Sequence, residues 1–190
     1  MRRPYSEIVG LCWLAFWVYW SLRSLRTRRP LTHASWPFTI ADTVILYIGF
    51  VLIFLGRAAT SRFSPRFTSD AAWIGVLGTA LVIAGIAFAI WSRAALGANW
   101  SSRVGMAAGQ CLVTDGPYAV VRNPMYSGMS LAALGTSLVV GSLASLLGFV
   151  LVFGSLWWKG RVEERFLAEA FGEEYARYRR RVKSMVPFIL

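Results

Sequence analysis

The chain has 190 residues, of which 56% are hydrophobic and only 15% charged. That balance is too apolar for an ordinary water-soluble domain, and most of the apolar residues fall into long uncharged runs. The net charge of +11 would suit nucleic acid. In a chain of apolar runs, however, basic residues record membrane topology, so no nucleic-acid partner is expected.

The first uncharged run is Ile8–Leu22. It falls short of the ~20 helical residues that a ~30 Å bilayer core requires. Tyr5 and Leu25 extend it, and the flanking arginines can snorkel. "MRRPYSE" precedes it without a small-residue cleavage site, so it reads as a retained first span. Cys12 lies in this span and Cys111 in a loop, so no disulfide is expected. His33, the only histidine, sits in an Arg-rich loop and predicts no metal site. Thr43–Gly56 forms a second run, with Asp42 at its start as a cap or interface residue, and Ala71–Ser92 is a full third span.

The longest uncharged run, Asn123–Trp158, needs dividing. Its portion Gly128–Trp158 is too long for one crossing and too short for two full ones with a turn. Gly141-Ser142 mark the bend, which predicts a helical hairpin whose ends emerge on one side. The expected architecture is all-α and polytopic, with about five transmembrane helices near 5–24, 38–56, 70–92, 126–140 and 143–159. A cytoplasmic C-terminal helix follows, and residues 1–190 form a single domain. If the C-terminus is cytoplasmic, the inner segments hold fifteen Lys/Arg and the outer ones five. This bias places the N-terminus outside. Eighteen of the twenty basic residues are Arg, which hints at a GC-rich bacterial genome and hence an inner membrane.

Two polar regions border the hairpin. Leu96–Tyr126 ends in "GPYAVVRNPMY", where "TDG" and "GPY" signal turns and Tyr118–Arg122 has room for a short helix. Asn123 precedes a proline and is biased away from helix, while Pro124 suits a first helical turn. The segment reads either as a pre-set pocket wall or as a rigid loop. In the tail, Val162, Phe166, Leu167, Ala170, Phe171, Tyr175, Tyr178 and Val182 form one apolar stripe on a helical wheel, and Glu163 and Glu164 fall inside it. Buried carboxylates need partners, and Arg122, Arg161, Arg165 or a bound cation are available. No zinc ligand set, Ser-His-Asp set or GxGxxG fingerprint is present.

From about Leu96 to Phe188 the chain resembles the isoprenylcysteine carboxyl methyltransferases and their bacterial relatives. The resemblance rests on "LGANWS", "LVTDGPYAVVRNPMYSG", an apolar hairpin, "EE" and "FGEEYARYRRRVKSMVPFI", in that order. The Arg-x-Pro-x-Tyr and Glu-Glu elements are also those of phospholipid methyltransferases. The resemblance implies an integral membrane enzyme using S-adenosylmethionine, with residues 1–92 as three leading spans and 93–190 as the cofactor-binding core. Carried over by position, Leu112 and Val113 line the adenine. Gly116, Tyr118, Arg122, Asn123, Pro124, Tyr126, Glu163 and Glu164 complete the cofactor site. Arg122 and Arg161 are the candidate catalytic residues, and Trp100 and Arg161 orient the acceptor. Asn123 stands where the family usually has His, so that position can hold a ligand but cannot act as acid or base.

The implied reaction is methyl transfer to a lipophilic small acceptor or lipid at the cytoplasmic interface. A carboxylate acceptor is already ionised and needs no base. Phospholipid N-methylation and thiol S-methylation are the enzymatic alternatives. A non-catalytic membrane subunit keeping the fold is the alternative of another class. Nothing in the sequence specifies an oligomeric state.

Overall fold

The structure is a computed structural model and describes residues 3–24, 36–56, 65–97 and 111–186. Among the described residues, five α-helices carry the fold: α1 (Arg3–Ser24), α2 (Trp36–Leu55), α3 (Ala72–Leu96), α4 (Pro124–Val140) and α5 (Leu143–Arg181). Of these, α2, α3 and α5 are long and apolar enough to cross a membrane, and α4 is a shorter apolar helix. The protein is an integral membrane helical bundle. Large apolar side chains such as Leu11, Tyr47, Trp73 and Trp158 stand exposed on its outer faces, as expected where the solvent is lipid.

Small residues set how closely the helices approach. Gly78 and Gly85 on α3 face Gly135 and Gly128 on α4. A methyl group built on Gly85 would lie 2.5 Å from the Gly128 carbonyl oxygen. Lipid tails compete for apolar contact, so membrane helices gain by such close backbone approach. The same device joins α2 to α5, where a methyl on Gly148 would lie 2.5 Å from the Gly49 carbonyl oxygen. Trp13 of α1 donates its indole N–H to Thr136 Oγ1 of α4 at 2.9 Å, which seats the first helix on the bundle.

The α4–α5 hairpin turns where small residues predicted it. Gly141 takes the left-handed conformation with φ of 74°, and Ser142 caps α5 in a reciprocal capping box with Ser145. The end carrying this turn also meets the segment before α3, where Phe67 N–H bonds to the Gly141 carbonyl at 2.9 Å.

The C-terminal half departs from expectation in one respect. The fifth apolar helix continues past its expected end near residue 159 as far as Gly172, where it meets the C-terminal helix at a kink within α5. At 1.5 Å per residue the unbroken stretch 143–171 spans roughly 44 Å, longer than a bilayer core of ~30 Å. The charged C-terminal part of α5 is therefore left over beyond a single crossing. Gly172, at φ 48° and ψ −120°, breaks the helical path inside it. A wheel drawn through residues 162–182 is therefore not one continuous face. Tyr175 and Tyr178, beyond the break, are buried, whereas Ala170, before it, is exposed.

Candidate active site

The segment before α4 and the C-terminal end of the chain meet at the bundle end opposite the hairpin turn. Gly116–Ala119 forms a single 3-10 turn, slightly earlier than the short helix expected over Tyr118–Arg122. Asn123 is the N-cap of α4 with φ of −119°, and Pro124 occupies its first turn. The chain past α5 then runs parallel to residues 121–123. Arg122 N–H donates to the Lys183 carbonyl at 2.8 Å, and Asn123 N–H to the Ser184 carbonyl at 2.9 Å.

This pairing brings three side chains onto one carboxylate, that of Glu164. Arg122 donates to Glu164 through Nη2, at 3.0 Å to each carboxylate oxygen, and through Nε at 3.2 Å to Oε1. Asn123 Nδ2 donates to Oε1 at 2.7 Å, and the Ser184 hydroxyl does so at 2.6 Å. The Arg122 Nη1 donates to the Arg179 and Val182 carbonyls, closing off the end of α5. Only 7% of either charged side chain is exposed. In such a setting the planar guanidinium fork matches the carboxylate and leaves no donor idle. The carboxylate that Arg122 grips in this structure is thus Glu164's own. Neither Arg161 nor Arg165 takes it.

Glu163 faces another way. Its Oε1 accepts from the Tyr126 hydroxyl at 2.7 Å, and its second oxygen makes no hydrogen bond among the described residues. The two adjacent glutamates therefore divide their duties: Glu164 is locked into the loop and tail, and Glu163 keeps a free acceptor beside α4. Gly160, one turn earlier on α5, gives Asn123 its space, since a methyl there would lie 3.3 Å from the amide carbon.

The remaining expected residues fall around this centre. Tyr118 is buried, accepts at its carbonyl from the Tyr178 hydroxyl at 2.6 Å, and reaches the Ser92 carbonyl weakly at 3.5 Å. Burial, then the nearby Glu163 charge, pushes its hydroxyl well above the ordinary tyrosine range, so it stays neutral. Leu112 and Val113 are half-buried, and Gly116 is exposed at the start of its turn. Arg161 is not gathered in. It is exposed, and its guanidinium lies over the Trp157 ring, 5.2 Å from the centroid. Trp100 lies outside the described residues, as does His33.

Sequence reasoning missed Ser184, Tyr178 and Ser127. Ser127 Oγ donates to the Met185 carbonyl at 2.6 Å. The signal available was the tail "RVKSM" itself, whose small polar residue lies inside the segment carrying the resemblance. Asp42 is a second finding. It lies within α2 rather than at its cap, is buried, and accepts from Ser155 Oγ at 2.5 Å. Among the described residues no group of three His, Cys, Asp or Glu is placed to hold a metal ion.

A polar centre of two glutamates, an arginine and a tyrosine at the mouth of an apolar helical hairpin defines a class of integral membrane protein. Residues 73–174 match the phospholipid methyltransferase family, and the chain belongs to that family. It is similar to the protein-S-isoprenylcysteine O-methyltransferase of Schizosaccharomyces pombe, at 45% identity over 41% of this chain and 34% of that protein. It is also similar to the cobalt-zinc-cadmium resistance protein CzcN of Cupriavidus metallidurans, at 34% identity over 62% of this chain and 53% of the relative. The match thus spans about a third of the yeast relative's length and about half of the bacterial one's. The structure of the eukaryotic intramembrane Ras methyltransferase ICMT (isoprenylcysteine carboxyl methyltransferase) shares the fold. Its TM-score is 0.54 at 23% identity, covering 84% of this chain and 55% of that one. The resemblance read from the motifs is borne out.

Proposed function

We propose that the chain transfers a methyl group from S-adenosylmethionine to the carboxylate of a lipophilic acceptor at the cytoplasmic membrane interface. The observation that carries this reading is the divided glutamate pair, Glu164 locked by Arg122, Asn123 and Ser184, and Glu163 left with an unshared oxygen beside Tyr126. Family membership and the similarity to isoprenylcysteine O-methyltransferases support the same reading.

The residues present fit the cofactor. S-Adenosylmethionine supplies an activated methyl on a sulfonium sulfur, together with an ammonium and ribose hydroxyls that need acceptors. The unshared oxygen of Glu163 is such an acceptor, and Leu112, Val113, Gly116 and Tyr118 offer a half-buried wall for the base. Arg122 and Asn123 act by holding Glu164 and the tail in place, as an amide at position 123 is able to do. Pro124 sets the start of α4 and so the position of Tyr126. Arg161, on the outer face of α5, and Trp100 are proposed to meet the acceptor as it arrives from the bilayer.

A carboxylate acceptor needs no proton removed, and catalysis then comes from juxtaposition and from excluding water around the reacting charges. An amine acceptor would have to lose a proton, which the unshared oxygen of Glu163 could take. The two reactions leave different products. Incubation with radiolabelled S-adenosylmethionine, an N-acetyl-S-prenylcysteine and a membrane lipid extract is expected to yield label released as methanol by mild alkali, the mark of an ester. Label that resists alkali overturns the carboxylate reading. Titration with S-adenosylhomocysteine tests the cofactor directly. Glu163→Gln is expected to weaken that binding roughly ten- to a hundredfold, as loss of a charged hydrogen-bond acceptor does.

A further inference from the structure

A second polar group lies on the α2 side of the site, and the mechanism above does not use it. Ser155, Lys159 and Glu163 follow one another at four-residue intervals and so share one face of α5. Opposite them, α2 presents Asp42. Its Oδ1 accepts from Ser155 Oγ at 2.5 Å, and its Oδ2 lies 3.5 Å from Lys159 Nζ. The Asp42 side chain is 6% exposed, whereas that of Lys159 is 26% exposed. The carboxylate is therefore spent and buried. What the group turns outward is an ammonium with three donors, loosely paired with Asp42 and within electrostatic reach of Glu163.

The neighbours place this ammonium at the boundary between polar site and bilayer. Phe38, one turn before Asp42 on α2, lies against Trp158 on α5, with ring centroids 6.4 Å apart. Trp157 and Trp158 are exposed, in the manner of aromatic residues at a membrane interface. Toward the hairpin turn, α2 and α5 expose the apolar side chains of Val51, Leu55, Leu147 and Val150. Arg161, the cation expected to orient the acceptor, is turned onto Trp157. Lys159 is the cation on the same face of α5 as Glu163.

We propose that Lys159, paired with the Asp42 carboxylate that Ser155 holds in place, anchors the anionic head of the membrane-dissolved methyl acceptor. The tail of the acceptor then lies along the apolar side of α5, and the carboxylate is brought within one helical turn of Glu163. Methylation removes the charge that Lys159 holds, so the ester product binds this subsite less well than the acid. The inference rests on the reading above for the identity of the acceptor as a carboxylate.

The test uses the full chain in detergent micelles, with equilibrium binding of an N-acetyl-S-farnesylcysteine and of its carboxamide, which has the same tail and no charge. Wild type is expected to bind the acid about tenfold or more tightly than the amide, the usual effect of one charge-assisted contact. Lys159→Gln is expected to abolish that preference while leaving the affinities for the amide and for S-adenosylhomocysteine within about twofold, and Lys159→Arg to restore it. A Lys159→Gln protein that keeps the preference overturns the proposal, and so does one that loses acid and amide equally. If acid and amide bind alike but Lys159→Gln loses affinity for phosphatidylglycerol, the ammonium holds a lipid phosphate, and the acceptor assignment is overturned. Methyl transfer is not read in this experiment. Failure of the proposed reaction shows separately, as alkali-stable label or no S-adenosylhomocysteine binding.

Discussion

Asn123 has both of its neighbours in the site fixed by one amide nitrogen, which donates to Glu164 Oε1 at 2.7 Å and to Ser184 Oγ at 3.0 Å. The family's usual imidazole could titrate here, and the amide cannot. Asn123→Asp would set a second carboxylate against Glu164 in a site where Asn123 is only 7% exposed. The donor is lost and a buried like charge is gained, so the expected loss is at least ~1–3 kcal/mol at neutral pH. Protonating either carboxylate relieves the repulsion. The deficit relative to wild type should therefore shrink as pH falls, as melting curves in detergent across a pH series would show. A deficit that does not change with pH would refute the like-charge argument and leave the lost amide donor as its cause. No deficit at all would mean that the amide serves only to fill space.

Among the elements, α3 and α4 hold the site's foundation. The N-terminal end of α4 carries Asn123, Pro124 and Tyr126, and its position depends on the glycine contacts with α3. A methyl at Gly85 would meet two backbone atoms, Gly128 O at 2.5 Å and Ala132 N at 2.6 Å. Neither can swing aside, so Gly85→Ala must part the helices. Its expected cost is ~1–3 kcal/mol, the usual penalty for overpacking, together with weaker S-adenosylhomocysteine binding as Tyr126 shifts. Gly154→Ala is the control, because nothing lies within 4 Å of a methyl there. It should be neutral, or stabilising by up to about 1 kcal/mol from helix propensity. Equal melting temperatures for the two variants would refute the packing argument.

For the whole molecule, the bundle has two ends of different character. One joins the segment before α3 to the hairpin turn, through Phe67 and Gly141. The other joins the loop before α4 to the tail, through Arg122 and Lys183. The fifteen-to-five split of basic residues leads us to propose that the second end faces the cytoplasm, where a water-soluble cofactor is available. Cysteine labelling in intact bacterial cells tests this with two exposed positions, Glu174 and Ser69. Ser184 is unsuitable, being buried against Glu164. A membrane-impermeant maleimide should label Ser69→Cys and spare Glu174→Cys. The opposite pattern would invert the topology and move the site to the outer face.

The apolar runs, the hairpin and its bend at Gly141-Ser142 were legible in the sequence, because they depend on local composition and on the length needed to cross a bilayer. So was the meeting of Arg122 with the glutamates, since a hairpin returns the chain to the side it left and buried charges require partners. The sequence could not tell which glutamate Arg122 would take. Glu163 and Glu164 are adjacent and chemically alike, and only the packing of α5 against α4 and the tail turns one to the guanidinium and the other to Tyr126. Nor could it show that a helical wheel fails at Gly172, because a glycine's positive φ is set by where Tyr175 and Tyr178 must dock. Asp42, 113 residues from Ser155, carried no local mark beyond its charge. Its partnership with Lys159 comes from the approach of α2 to α5 at Gly49 and Gly148, a contact between distant segments that only the tertiary structure decides.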